Sequence, residues 1–91
     1  MNLIKLEKIA KALSDSNRLK ILKNMCNNEG SIQCAQIAAL LNLAQPSVSH
    51  HIKILIEAGI IMSEKNGRNY SYKISKGILQ EYASTIAALA G

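Results

Sequence analysis

Residues 45–74 read QPSVSHHIKILIEAGIIMSEKNGRNYSYKI, and the spacing of apolar residues changes partway through this stretch. In the first half, apolar residues recur at helical spacing, and Val48, Ile52 and Leu55 are the expected buried stripe. Proline is tolerated in the first turn of a helix, so Pro46 predicts a helix that opens at Gln45. This part of the chain is therefore expected to be one amphipathic helix.

The second half of the stretch predicts a β-hairpin. Its two apolar-alternating runs flank Asn66-Gly67, the dipeptide that most strongly favours a two-residue hairpin turn. In such a turn Lys65 and Arg68 are expected to be neighbours across the strands, where like charges repel unless an anion relieves them. A phosphate group is such an anion. Lys65, Arg68 and Asn69, with Asn66 and Lys73 as further candidates, are therefore expected to contact a phosphate backbone without sequence preference.

Outside this stretch, helical spacing predicts four further helices, at residues 3–13, 18–26, 34–41 and from 76 onward. The SDSN cluster at 14–17 offers helix caps, and residues 31–33 are expected to be a short connection with at most one extended pair. The predicted order is α1-α2-α3-α4-hairpin-α5. This is a mainly α fold with a small β-hairpin (α+β), in a single domain over residues 1–91.

A winged helix-turn-helix consists of two short helices joined by a tight turn, with a hairpin after the second helix. The second helix of such a domain enters the major groove of DNA. The helix from Gln45 suits that role because its polar face carries hydrogen-bond donors and no acid before Glu57. The donors are Ser47, Ser49, His50, His51 and Lys53. A solvated amphipathic helix is the alternative for this stretch alone.

The composition agrees with an anionic partner. The formal net charge is +5 and the isoelectric point is about 9.4, which favours nucleic acid or a membrane surface. No apolar run approaches the roughly 20 residues needed to span a bilayer, and the N-terminal residues alternate charged and apolar side chains. The expected protein is cytoplasmic, with no membrane partner.

Three segments together resemble ArsR/SmtB-type repressors: ALSDSNRLKIL at 12–22, QPSVSHHIKILIEAGII at 45–61 and GRNYSYKI at 67–74. The resemblance implies a homodimeric winged-helix repressor that binds a palindromic operator in double-stranded DNA and releases it on sensing an inducer. It implies that residues 1–13 and 76–91 are the dimerisation helices. By position, the resemblance assigns DNA contacts to Gln45, Ser47, Ser49, His50 and His51.

The usual inducer sites of these repressors are mostly absent. At the third helix, SIQCAQI at 31–37 lacks the Cys-x-Cys pair of arsenic and cadmium sensors, and the last helix lacks the acid and histidine ligands of zinc sensors. The sequence therefore predicts no resident metal and no cofactor. Cys26 and Cys34 flank a short loop, and three roles stay open for them. They could form a redox or persulfide switch, share a soft metal with a dimer partner, or have no sensing role.

The sequence does not predict an enzyme. Cys34 lies on the apolar stripe of Ile37 and is expected to point inward, so no nucleophile lies beside His50 or His51. Cys26 is expected on one apolar face with Leu19, Leu22 and Met25. A winged helix that binds only protein is the alternative function, but its fourth helix should then expose apolar anchors instead of donors.

Overall fold

In a computed structural model, the chain is described at residues 1–67 and 69–91, with the backbone alone at positions 66 and 69. These ranges contain five α-helices and three β-strands. They are α1 (Leu3–Ala12), α2 (Ser16–Asn27), β1 (Ser31–Gln33), α3 (Cys34–Leu41), α4 (Gln45–Glu57), β2 (Ile61–Asn66), β3 (Asn69–Ile74) and α5 (Lys76–Leu89). The predicted fold class, a mainly α winged helix-turn-helix with a small hairpin, is confirmed.

Side-chain caps start the first two helices. The Asn2 Oδ1 atom accepts the backbone N–H of Lys5 at 2.8 Å and opens α1. The Asp15 Oδ1 atom accepts the backbone N–H groups of Asn17 and Arg18 at 2.8 and 3.2 Å and opens α2. Such caps satisfy donors that have no partner inside the helix, so the SDSN cluster separates α1 from α2 as expected.

The core is aliphatic and lies between the helices and one face of the sheet. Its buried members are Ile9, Ala12, Ile21, Leu22, Met25, Ile32, Ile37, Leu41, Val48, Ile52, Leu55, Ala58, Ile60 and Ile61. The expected stripe of α4 is confirmed. On α2, however, Leu19 and Cys26 are exposed, while Arg18 and Ile21 point inward. The predicted face of α2 is therefore correct for Leu22 and Met25 and wrong for Leu19 and Cys26, because carbonyl groups at the end of α1 hold Arg18 inward.

The sheet has three antiparallel strands in the order β1-β3-β2. Strand β1 pairs Ser31 with Lys73 and Gln33 with Ser71, although the sequence of this segment predicts a short connection with at most one extended pair. No loop separates β1 from α3, because Gln33 ends the strand and its N–H donates to Oε1 of Gln36 in the first turn of the helix. The hairpin is thereby attached to the start of the helix-turn-helix.

The hairpin register differs from the predicted one. Asn66 pairs with Asn69 and Lys65 pairs with Tyr70, so the expected pairing of Lys65 with Arg68 was wrong. Arg68 itself lies outside the described residues. The observed register sets Ile61 opposite Ile74. The predicted register would instead set Ile74 opposite Gly59, which cannot belong to a strand because its φ of 77° is not an extended conformation. The pairing of Ile61 with Ile74 beside the core therefore decides the register, although Asn66-Gly67 alone favours a turn with these two residues in the loop.

The first and last helices leave apolar side chains in solvent. Leu3 and Ile4 of α1 are each 81% exposed, and Leu89 of α5 is 76% exposed. No residue of α5 is buried. In the described ranges, no helix is both long and apolar enough to cross a membrane.

Candidate nucleic-acid interface

A tight turn joins α3 to α4 and sets the outward face of α4. Asn42 adopts a left-handed conformation with φ of 52°, and its N–H donates to the carbonyl of Ala38 at 3.1 Å, which ends α3. After two intervening residues, the chain enters α4 at Gln45. Because Val48, Ile52 and Leu55 are buried against the core, the opposite face of α4 must point away from the protein.

That outward face carries most of the expected DNA-contacting residues. Gln45, Ser47, Ser49 and His50 are all exposed, and Gln45 Nε2 lies 3.5 Å from Ser49 Oγ. Lys53, one turn further on, is exposed and forms an ion pair of 3.9 Å with Glu57. The first two turns of α4 therefore present short donors and acceptors without a carboxylate, which is the chemistry that base edges in a major groove require.

The N-terminus of α4 has no side-chain cap. Its N-cap residue is Ala44, whose carbonyl accepts the N–H groups of Ser47 and Val48 at 3.0 and 3.1 Å. Pro46 fits this first turn because it has no N–H to satisfy. The partial positive charge of the helix end is thus not neutralised by an acidic side chain, which favours a phosphate group nearby.

His51 lies in a different environment from His50. Its side chain is 12% exposed, its Nδ1 atom lies 3.2 Å from Nη1 of Arg18, and it lies 3.8 Å from Oδ1 of Asp15. Successive residues on a helix point about 100° apart, so one of two adjacent histidines faces outward while the other lies along the neighbouring helix. Both histidines were expected to contact DNA. The side chain of His50 is exposed and available for such a contact, whereas that of His51 contacts Arg18.

Sequence reasoning missed this contact between helices. It gave Asp15 only a capping role and gave Arg18 none. Partial burial raises the pKa of Asp15, but hydrogen bonds from the N–H groups of Arg18 and Asn17, with the charges of Arg18 and His51, outweigh it and lower the pKa below its usual value. The Asp15 carboxylate is thus stabilised by both the helix that it caps and the side chains beside it.

Among the hairpin residues expected to contact phosphate, the structure describes the side chains of Lys65 and Lys73. Lys65 is exposed, and its Nζ atom lies 5.6 Å from the centre of the Tyr70 ring, a distance at which a cation and a ring attract. The Asn69 side chain, like Arg68, lies outside the described residues. Lys73 is paired with Glu64 at 3.4 Å, which leaves Lys65 as the more available of these two lysines.

The two cysteines are free thiols in separate places. Cys34 is half-buried and lines a cavity of about 340 Å³ with Tyr72 and with Ser49 of α4. Burial raises the pKa of Tyr72, and the neighbouring Cys34 thiol raises it further. The expectation that Cys34 points into the core was therefore wrong, since it borders a cavity beside α4. Exposed Cys26 lines another cavity, of about 590 Å³, between α2 and α5.

The described residues contain no group of three or more His, Cys, Asp or Glu side chains arranged to hold a metal ion. The exposed side chains of α4 can form hydrogen bonds, as between Gln45 and Ser49, and an ion pair, as between Lys53 and Glu57.

Known proteins with similar sequences are regulators of transcription. The transcriptional repressor SdpR of Bacillus subtilis is 34% identical over 73 residues, which cover 80% of this chain and 79% of that protein. The arsenical resistance operon repressor of Staphylococcus aureus is 31% identical over 81 residues, covering 89% of this chain and 76% of that protein. Such relatives confirm the expectation that the chain is not an enzyme.

Solved structures with the same fold point the same way. The crystal structure of an ArsR family transcriptional regulator matches with a TM-score of 0.86 and 26% identity, over 99% of this chain and 91% of that one. A homodimeric winged helix-turn-helix DNA-binding domain from Mycobacterium bovis, determined by NMR, shares the fold with a TM-score of 0.76 and 20% identity, over 97% of this chain and 81% of that one. The family model described as "Bacterial regulatory protein, arsR family" matches residues 15–63, from the cap of α2 into the hairpin. The chain therefore belongs to the ArsR family of bacterial regulatory proteins.

Proposed function

We propose that this chain is a homodimeric repressor that binds a palindromic operator in double-stranded DNA through the outer face of α4. Ser47, Ser49 and His50 contact base edges in the major groove, and Gln45 contacts the duplex at the end of the helix. Lys53 and the hairpin residues Lys65, Arg68 and Asn69 bind the flanking phosphates. The repressor acts in the cytoplasm.

The observation that carries this proposal is the acid-free, exposed face of α4. A helix used to bind protein needs apolar anchors that become buried on binding. The outer face of α4 has polar side chains from Gln45 to Lys53 instead, on a helix whose N-terminus lacks a side-chain cap. This face favours DNA over a protein partner, the second candidate function.

Homodimerisation is supported by the exposed apolar side chains of α1 and α5. Leu3, Ile4 and Leu89 are each more than three-quarters exposed, with values of 81%, 81% and 76%. Burying such side chains contributes about 25 cal/mol per Å² of apolar surface. The Mycobacterium bovis domain with the same fold is homodimeric, and two copies related by a twofold axis match a palindrome.

The test begins with selection of duplexes from a random-sequence library by the wild-type protein. Binding of the enriched duplex is then measured by fluorescence anisotropy against a shuffled duplex and over a range of salt concentrations. We expect enrichment of an inverted repeat and a steep loss of affinity with added salt, because phosphate contacts release counterions. No enriched sequence, or binding that ignores salt, would remove the proposal in favour of a protein partner.

Two substitutions separate base contacts from phosphate contacts. His50→Ala is expected to cost about 1–3 kcal/mol of discrimination between the enriched and shuffled duplexes. Lys65→Ala is the matched control in the hairpin, and it is expected to weaken binding to both duplexes alike and to make the salt dependence shallower. Equal, sequence-independent losses from both variants would make His50 another phosphate contact.

For the inducer, we propose release by thiol modification at Cys34, with Cys26 as the second reactive thiol. Cys34 supports this because it borders the cavity beside Ser49, so a group added to its sulfur lies next to the DNA-contacting face. Peroxide or a persulfide is expected to weaken binding of the enriched duplex, and Cys34→Ser to abolish that response. An unchanged response in Cys34→Ser would eliminate the thiol route, and release by a soft metal would favour a site shared between dimer partners instead.

A further inference from the structure

The Arg18 side chain is fixed at the corner between α1 and α2. Its Nε atom donates to the carbonyl of Ala12 at 2.7 Å, and its Nη2 atom donates to the carbonyl of Lys11 at 3.1 Å. Carbonyl groups in the last turn of a helix lack partners within the helix and attract cations. The residue is 9% exposed, so its guanidinium has little freedom to move.

The third nitrogen of this guanidinium bonds to His51 of α4. Nη1 of Arg18 lies 3.2 Å from Nδ1 of His51. A guanidinium can only donate hydrogen bonds, so this bond requires a neutral imidazole whose Nδ1 accepts and whose proton lies on Nε2. The Oδ1 atom of Asp15 also lies 3.8 Å from Nδ1 of His51, and the centres of the His50 and His51 rings are 5.9 Å apart.

We propose that His51 is a positioning residue for the DNA contacts of α4, an inference that rests on the proposed function. The bond from Arg18 joins α4 to the α1–α2 corner at the position next to His50. It therefore limits rotation of α4 about its own axis. The buried stripe of α4 sets which face points outward, and the bond from Arg18 restricts the rotation that remains, which sets the directions of Ser47 and His50 more closely.

The geometry of a helix shows why this matters. Side chains extend about 5–6 Å from the helix axis, so a rotation of about 20° moves their ends by about 2 Å. A specific polar contact requires placement within about 0.5 Å. Contacts to phosphate, by contrast, come from long side chains that tolerate such a shift. Loss of the His51 bond should thus reduce sequence discrimination more than total affinity.

The test uses a matched pair of substitutions, His51→Asn and His51→Leu. The two side chains have nearly the same shape, but asparagine places a carbonyl oxygen near the position of Nδ1 and can accept from Arg18. On the duplex enriched by the wild-type protein, His51→Asn is expected to bind within about threefold of wild type, whereas His51→Leu should lose about tenfold or more, within the range for one base contact. On a shuffled duplex, both variants are expected to match wild type.

Three outcomes would overturn the proposal. Equal losses in both variants on both duplexes, with a shallower salt dependence, would make His51 itself a phosphate contact. Wild-type binding and discrimination in His51→Leu would show that the bond positions nothing. The absence of any enriched duplex for the wild-type protein would refute the proposed function, and the positioning role with it.

A second measurement tests the bond without DNA and without a variant. Long-range proton–nitrogen NMR correlations of the wild-type protein identify which ring nitrogen of each histidine carries the proton. His51 is expected to carry it on Nε2 at a pH where the ring is neutral. A proton on Nδ1 would exclude the bond from Arg18, whatever the DNA measurements give. This result also applies if His51→Leu fails to fold.

Discussion

Replacement of Arg18 by methionine is expected to destabilise the fold by about 2 kcal/mol. Methionine keeps most of the aliphatic volume but loses all three donors. The carbonyl of buried Ala12 loses the N–H that lies 2.7 Å away, and an unsatisfied buried acceptor costs about 1–3 kcal/mol. The Lys11 carbonyl loses less, because the N–H and hydroxyl groups of Ser14 still donate to it at 3.2 and 2.7 Å.

Two further effects of this substitution act in opposite directions. His51 loses its donor at 3.2 Å, which adds about 1 kcal/mol of destabilisation. Arg18 is 9% exposed, so burying its charge costs free energy in the wild-type protein. Methionine removes that cost, which offsets part of the destabilisation. A net loss of about 2 kcal/mol corresponds to a fall in melting temperature of roughly 8–16 °C for a domain of this size.

The assay is urea unfolding followed by circular dichroism, at one protein concentration because association stabilises the folded state. Lys20→Met is the matched control, since Lys20 is an exposed cation on the same helix. The control is expected to change the free energy of unfolding by less than about 0.5 kcal/mol. If Arg18→Met behaved like the control, the Arg18 bonds would not stabilise the corner, and the reasoning would fail.

Three other predictions concern acid stability, assembly and thiol reactivity. Because the pKa of Asp15 is lowered on folding, its carboxylate adds stability above its unfolded pKa that is lost as the pH falls through the folded value; the urea midpoints of wild type and Asp15→Asn should converge in acid, and a constant gap would contradict this. Leu89→Glu should shift the protein toward monomer in light scattering, because it places a charge on a side chain that is 76% exposed in the single chain and that the proposed dimer would bury. An unchanged mass would place the interface elsewhere. Exposed Cys26, measured alone in Cys34→Ser, should react faster with a bulky thiol reagent than half-buried Cys34, measured alone in Cys26→Ser. Equal rates would contradict the partial burial of Cys34.

The features that sequence analysis predicted correctly depend on neighbours along the chain. The start of α4 at Gln45 follows from the proline in its first turn, and the buried stripe follows from helical spacing. The break at Asp15 follows from cap preference. The exposed donors of α4 could be predicted from the same spacing, because the face opposite the buried Val48 and Ile52 must point outward.

The features that sequence analysis missed depend on contacts between distant segments. Strand β1 has three residues, too few for any periodicity, and it forms only because Ser31 pairs with Lys73. The hairpin register depends on Ile61 lying opposite Ile74. His51 was assigned to the DNA face because nothing near it in sequence identifies Arg18, which lies 33 residues away, as its partner.

The direct passage of β1 into α3 has a mechanical consequence. Since Gln33 belongs to the sheet and its N–H also bonds into the first turn of α3, the base of the hairpin cannot slide along the helix-turn-helix. In the proposed DNA complex, the distance from Lys65 to the outer face of α4 is therefore expected to be fixed, and with it the length of each operator half-site. In the test duplex, base pairs are inserted between the base contacts and the flanking phosphates. Such a duplex is expected to lose its contacts with the hairpin, because the hairpin cannot move relative to α4.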